Sequence, residues 1–280
     1  MQLTDFKDIL YQADGNGLVT VTLNIPKRKN AMSPYTFYEL YWAVDHFERD
    51  EKLGAMVITG AKDPDVNDPQ KEAFSSGGYF NESAFNDVSD ELKKEIDISD
   101  IAQKRLTLKM FGCYKPIIAA INGLAIGAGF TMPFAGADLI YMSEYAWIRL
   151  PFAQLGIISE LASSFLLPRY VGFQKAKEII YFSKKLTAKE ALELGLVSDV
   201  ILHENLLLHA KDKALALIPP RGAGLAIGRI KKSMHEPFIE AISKTLDLEN
   251  EGLGFCVKTA DFGEGLMARI EKRDPRFTGK

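Results

Sequence analysis

Cysteine is almost absent: Cys113 and Cys256 are the two in 280 residues. They lie far apart, with no metal-ligand spacing and no disulfide framework, so a reducing, cytoplasmic setting is the expectation. Histidine is nearly as sparse. His46, His203, His209 and His235 form no HxxxH or HExxH pattern, and no metal site is expected from them. An excess of one charge is also missing. Thirty-four basic residues stand against 37 acidic ones, a net charge of −3, so no basic field points to a nucleic-acid partner. Met1-Gln2-Leu3-Thr4-Asp5 shows no basic-then-apolar leader, and Thr278-Gly279-Lys280 is not a peroxisomal address. The longest apolar run, residues 116–137, reaches membrane length. It carries Asn122, Thr131, Pro133 and four glycines, however. A buried strand, a turn and a helix are expected there, and no membrane span.

What is present is a globular composition, 47% apolar and 25% charged, in a chain long enough for a sizeable core. Three segments read as buried strands: Leu18 to Leu23, Ala55 to Thr59, and Ile117 to Ile121. Between the first two, Ser33 suits an N-cap and Pro34 the first helical position. Phe37, Leu40, Tyr41, Val44 and Phe47 then recur at helical spacing. Residues 62–71 read as an exposed loop, and 83–109 as a charged, solvated amphipathic helix pair. Thr187 opens a short helix that stops at Gly195. Beyond about Ile201 the pattern is helical, with no strong strand. A layered α/β core followed by a helical region is the expectation.

The stretch Lys115-Pro116-Ile117-Ile118-Ala119-Ala120-Ile121-Asn122-Gly123-Leu124-Ala125-Ile126-Gly127-Ala128-Gly129 resembles the central signature of the crotonase (enoyl-CoA hydratase/isomerase) superfamily. Four other segments resemble that family in the same order. They are Leu23-Asn24-Ile25-Pro26 with Lys29-Asn30-Ala31-Met32, Phe74-Ser75-Ser76-Gly77-Gly78, Leu186-Thr187-Ala188 through Gly195-Leu196-Val197, and Glu264-Gly265 with Glu271-Lys272-Arg273. The resemblance runs from about residue 15 to 277. It implies a ββα-spiral α/β core over residues 1–200 and a helical trimerisation region over 201–280. It also implies a homotrimer or dimer of trimers, an acyl-CoA thioester as substrate, and no cofactor beyond the coenzyme A of that substrate. By resemblance, the backbone N–H groups of Gly78 and Ala128 form an oxyanion hole. Glycine turns fit this on physical grounds, because they let backbone N–H groups approach a ligand closely.

The expected reaction follows from where carboxylates are missing. Hydratases of this family are similar in carrying two glutamates, one in the helix after the glycine turn and one after the next strand. Here no Asp or Glu occurs from Gly123 to Ala137, where Thr131 or a neighbour takes the first position. Pro151-Phe152 stands at the second, and the next acid after Glu144 is Glu160. Pro151-Phe152, Leu155-Gly156 and Glu160 together resemble the peroxisomal-type 3,2-enoyl-CoA isomerases, which implies Glu160 as the single proton-transfer base. Its apolar company, Phe152, Ile157, Ile158, Leu161 and Phe165, should raise its pKa. The alternative for Glu160 is an acid favouring the start of the next helix. A hydratase with unusual carboxylates, another acyl-CoA lyase or hydrolase, and a silent acyl-CoA-binding scaffold remain as rival functions. Lys27, Arg28 and Lys29 read equally as phosphate contacts or as a solvated loop. Ala31, Ser76, Phe152, Lys272 and Arg273 complete the expected binding set.

Overall fold

The computed structural model describes residues 1–79, 90–97 and 99–280. Part of the expected helix pair, residues 83–89, lies outside the described residues.

Six strands form the larger sheet in the order β1 (Ile9–Ala13), β2 (Leu18–Leu23), β3 (Ala55–Gly60), β5 (Ile117–Ile121), β7 (Leu139–Ser143), β10 (Asp199–Ile201). Only the β1–β2 hairpin is antiparallel; the other pairs are parallel. β3 and β5 are buried at every residue and read as unbroken apolar runs, as strands covered on both faces do. The crossover from β2 to β3 passes through α1 (Pro34–Arg49). The Ser33 hydroxyl accepts the Thr36 N–H and Pro34 occupies the first helical position, so this helix starts where its sequence places it.

A second, smaller sheet places the site. Its order is β4 (Ala73–Ser75), β6 (Leu124–Ile126), β8 (Trp147–Arg149), β9 (Leu186–Thr187). β4, β6 and β8 run parallel, so their C-terminal ends lie side by side. β4 ends into Ser76-Gly77-Gly78, β6 into Gly127, and β8 into Pro151-Phe152. Three loops far apart in sequence therefore leave one edge together. The open ends of parallel strands are where α/β folds commonly bind ligands.

The short α2 (Asp90–Glu95) precedes α3 (Lys104–Gly112), and α4 (Ala128–Gly136) follows β6. α3 differs from the solvated helix expected there. Leu106, Met110 and Phe111 are buried, and the helix packs on α1, α4 and α10 (Ile239–Cys256). Lys104 and Lys109 lie at its contacts with α10 and α1, paired with Asp247 and with Asp45 and Glu48, so charge in the sequence here marks helix contacts as well as solvent. α5 (Ser163–Val171) and α6 (Phe173–Tyr181) follow the site. α7 (Ala188–Glu193) is capped by Thr187, with Gly195 at φ +70° just beyond its end. After β10 the described chain is helical: α8 (Leu206–Ala216), α9 (Gly224–His235), α10 and α11 (Ala260–Glu271). α8 covers β3, β5 and β7, while α11 lies against residues 153–155, next to the site.

Candidate functional site

The two glycine turns pack directly against each other. A Cβ on Gly77 would sit 2.4 Å from the Ile126 carbonyl oxygen, and one on Gly129 would sit 2.3 Å from that of Ser75. Backbone therefore meets backbone at both turns, which no side chain would permit. Gly77 has φ +92° and Gly127 φ +52°. Of the adjacent pair Gly77-Gly78, the positive φ belongs to Gly77, which reverses the chain beside Ile126.

The loop after β2 fixes the first turn from the other side. Ser76 N–H donates to the Lys29 carbonyl (2.9 Å), Met32 N–H to Gly77 (2.8 Å), and Tyr79 N–H to Met32 (2.9 Å). Asn30, fully buried, anchors that loop. Its side chain accepts from Ile25 N–H (3.0 Å) and donates to the carbonyls of Ala61 and Ala73 (2.9 Å each). Gly78 lines the cavity, and no described residue accepts its N–H. The Ala128 N–H, in the first turn of α4, faces the Glu160 carboxylate.

Glu160 is 8% exposed. It lines a small cavity with Ser76, Gly78, Gly127, Phe152 and Ile157, with Arg269 of α11 at the wall. Its Oε1 lies 3.7 Å from where a Gly127 Cβ would be, and a Phe152 ring carbon lies 3.8 Å from the same point. Burial, and next the Glu249 carboxylate, push its pKa up to about 8, against a smaller downward pull from the Ala128 N–H. The helix-start alternative for Glu160 does not describe this arrangement. The carboxylate that receives the N–H groups of Ala162 (2.8 Å) and Ser164 (3.1 Å) at the start of α5 is Glu249 of α10. A carboxylate of raised pKa beside backbone donors in an apolar cavity suits proton transfer next to a developing oxyanion.

The structure brings Ser76, Gly78, Ala128, Phe152 and Glu160 together. Lys272 lines a larger adjoining cleft that shares Ile126, Pro151, Leu155 and Arg269 with the cavity. Lys27, Lys29 and Ala31 line neither; Lys29 joins the site only through its carbonyl. Lys27 ion-pairs with Asp63 (2.9 Å) and Asp65. Arg28 lies 3.9 Å from Asp8 and over the Tyr79 ring. Arg273 pairs with Glu264 and Glu271. Of the apolar neighbours expected around Glu160, Phe152 and Ile157 line the cavity, whereas Ile158 packs under Gly252 of α10. Thr131 is fully buried, with its hydroxyl donating to the Gly127 carbonyl (3.3 Å).

Sequence reasoning missed Arg269, Asn30 and Glu249. Asn30 was visible only inside a quoted motif. Glu249 had a usable signal: it interrupts the buried stripe Ile242, Leu246, Leu253 on α10. An acid on an apolar stripe needs a buried partner.

The enoyl-CoA hydratase/isomerase family model matches residues 13–280. The chain is 30% identical to a probable enoyl-CoA hydratase of Rhodobacter capsulatus, over 94% of this chain and 95% of that one. It is 29% identical to the 1,2-epoxyphenylacetyl-CoA isomerase of Escherichia coli, over 94% and 96%. Among solved structures, an enoyl-CoA hydratase/isomerase from Pseudoalteromonas atlantica superposes with a TM-score of 0.82 at 27% identity, covering 97% of this chain and all of that one. With the family model matched across nearly its whole length, the chain belongs to the enoyl-CoA hydratase/isomerase family, the crotonase superfamily.

Proposed function

We propose that the protein is a 3,2-enoyl-CoA isomerase of the peroxisomal type. It would move the double bond of a 3-enoyl-CoA to the 2-trans position. The observation that carries this reading is the carboxylate count: among the described residues, Glu160 is the one acid in the cavity wall. Where hydratases carry glutamates, this chain has Thr131 or a neighbour and Phe152, and both named residues are buried. Double-bond migration removes a proton at C2 and delivers one at C4. A single carboxylate performs both while the dienolate stays held by its oxygen. Hydration must also position a water, for which this family uses two acids.

In the proposed mechanism the thioester oxygen accepts from the N–H groups of Gly78 and Ala128. The Ala128 N–H then exchanges the Glu160 carboxylate for the substrate. Glu160 takes the C2 proton, and the resulting enolate charge lies on the thioester oxygen between the two donors. The neutral carboxylic acid returns the proton at C4. Phe152, Leu155 and Ile157 exclude water, which keeps the reaction from hydration. Ser76 lines the acyl side, and Lys272 meets the coenzyme A portion in the adjoining cleft. The ion pairs of Lys27 leave Lys29 as the better phosphate contact of that loop. Helices α9 to α11 leave Leu225, Met234, Leu248, Phe255 and Ile270 more than half exposed. This supports a trimer, or a pair of trimers, assembled through residues 201–280. The reading also places the protein in the cytoplasm, where two free thiols persist.

Hydratase activity is the second reading, favoured by the 30% identity to a probable hydratase. Ultraviolet absorbance separates the two. Isomerisation of 3-enoyl-CoA creates a conjugated thioester, and hydration of 2-enoyl-CoA destroys one. The expected result is the first change, faster than the second on matched chain lengths. Faster hydration overturns the proposal, and binding with neither change favours a silent scaffold.

A further inference from the structure

The backbone that delivers Glu160 to the cavity is unusual. Leu161 and Ala162, the two residues after it, both lie in the left-handed region, with φ +55° and +59°. Neither is glycine, asparagine or aspartate, so each conformation costs free energy and must be imposed by its surroundings. Two sets of contacts impose it. Ser163 closes back on Glu160: its N–H and hydroxyl donate to the Glu160 carbonyl, at 3.1 and 2.7 Å. Glu249 closes the turn from outside. One carboxylate oxygen accepts Ala162 N–H (2.8 Å); the other accepts Ser164 N–H (3.1 Å) and the Ser164 hydroxyl.

Glu249 is 1% exposed and lies 89 residues from Glu160 in sequence. Burial pushes the Glu249 carboxyl above the ordinary carboxylate range, and the three donors at its oxygens pull the other way, toward the ionised form. Its helix is pressed onto the same segment, since a Cβ on Gly252 would meet the Ile158 side chain at 2.4 Å. Other charges nearby are few. Arg269 of α11 lines the Glu160 cavity, and on the α3 side of α10 Lys104 pairs with Asp247 and Asn250 with Asp100. Glu249 is not among the residues that line the cavity.

We infer that Glu249 is a positioning residue for the base: it locks the left-handed turn that aims Glu160 into the cavity, and it stands behind the base as a second buried acid. This rests on Glu160 being the base. The charge of ionised Glu249 ranks second to burial among the causes that raise the Glu160 pKa. Removing that charge lowers the Glu160 pKa. Because the ionised base is the active form, the acidic limb of kcat/KM then moves to lower pH.

The test compares wild type, Glu249→Gln, Glu249→Ala and Glu160→Gln in 3-enoyl-CoA isomerisation across pH, alongside carboxylate infrared titration of the substrate-free proteins. Glutamine keeps the size and one accepting oxygen of Glu249, so Glu249→Gln keeps the fold, which a thermal melt checks. In Glu249→Gln the acidic limb and the titration assigned through Glu160→Gln should both move down by about one pH unit, at the lower end of what a close like charge does to a carboxylate. Glu249→Ala should lose about 10²-fold in kcat with KM little changed, since it also frees the turn. If Glu249→Ala does not fold, the two Glu249→Gln shifts decide alone. Unmoved midpoints in Glu249→Gln overturn the inference while leaving Glu160 as base. Full activity of Glu160→Gln overturns the base assignment itself, and the infrared shift then still reports whether Glu249 sets the Glu160 proton affinity.

Discussion

At the scale of single residues, Glu160 carries opposite consequences for activity and stability. Glu160→Gln keeps the shape and removes the base, so the isomerisation rate should fall by at least about 10³ with coenzyme A affinity little changed. A rate within about tenfold of wild type rules out the assignment. The same group weighs against stability at high pH. Its carboxyl binds a proton more tightly folded than unfolded, because burial raises the folded pKa to about 8. Its contribution to stability is therefore complete below the ordinary carboxylate range and is lost as the pH rises through about 8. Glu160→Gln should melt several degrees above wild type above pH 8, by on the order of a few kcal/mol, and the gain should vanish near pH 4. Paired thermal melts at the two pH values measure this. A gain that does not change with pH means that Glu160 is not held in a desolvating cavity.

At the scale of elements, the two adjacent glycines make separable predictions. Gly77 has a positive φ and no room for a Cβ beside the Ile126 carbonyl. Gly77→Ala should lower the melting temperature and the yield of folded protein along with activity. Gly78 is not among the glycines at positive φ, and it lines the cavity. Gly78→Val should fold and yet lose most of its turnover, since the branched side chain crowds the thioester. A folded Gly78→Val protein with normal turnover would show that this turn is structural only. Asn30 ties the loop after β2 to Ala61, beyond β3, and to Ala73 at the start of β4 through three hydrogen bonds. Asn30→Ala strands an N–H and two carbonyls, so it should cost about 1–3 kcal/mol in urea denaturation and loosen the site with it.

At the scale of the whole molecule, what was legible in the sequence depended on length and on glycine. β2 and β5 have the limits that apolar runs and turn residues marked, and α1 starts where its cap and proline place it, because those signals are local. The small sheet was invisible as strands: β4, β6 and β8 have three residues each and β9 two, too few for any alternation to register. Its turns were legible all the same, because close backbone contact demands glycine in the sequence. Glu160 stood out through the absence of other acids. Arg269 and Glu249 did not, because helices distant in sequence bring them to the site. Assembly through those same helices is the last expectation. α9 to α11 carry Leu225 at 93% exposure, Phe255 at 72% and Ile270 at 73%, on separate helices of one C-terminal region. A monomer gains nothing by presenting them to water, whereas a trimer interface buries them. Light scattering should therefore give about three or six times the chain mass of 31.1 kDa. Phe255→Lys should shift that mass toward one chain at micromolar concentration, because a buried lysine without a partner costs several kcal/mol. Phe255 lies on α10, beyond Glu249 and Gly252, so dissociation should also slow isomerisation by loosening the helix that backs Glu160. A monomeric wild type of full activity would show that the exposed residues serve no interface, and that α10 holds the base without support from another subunit.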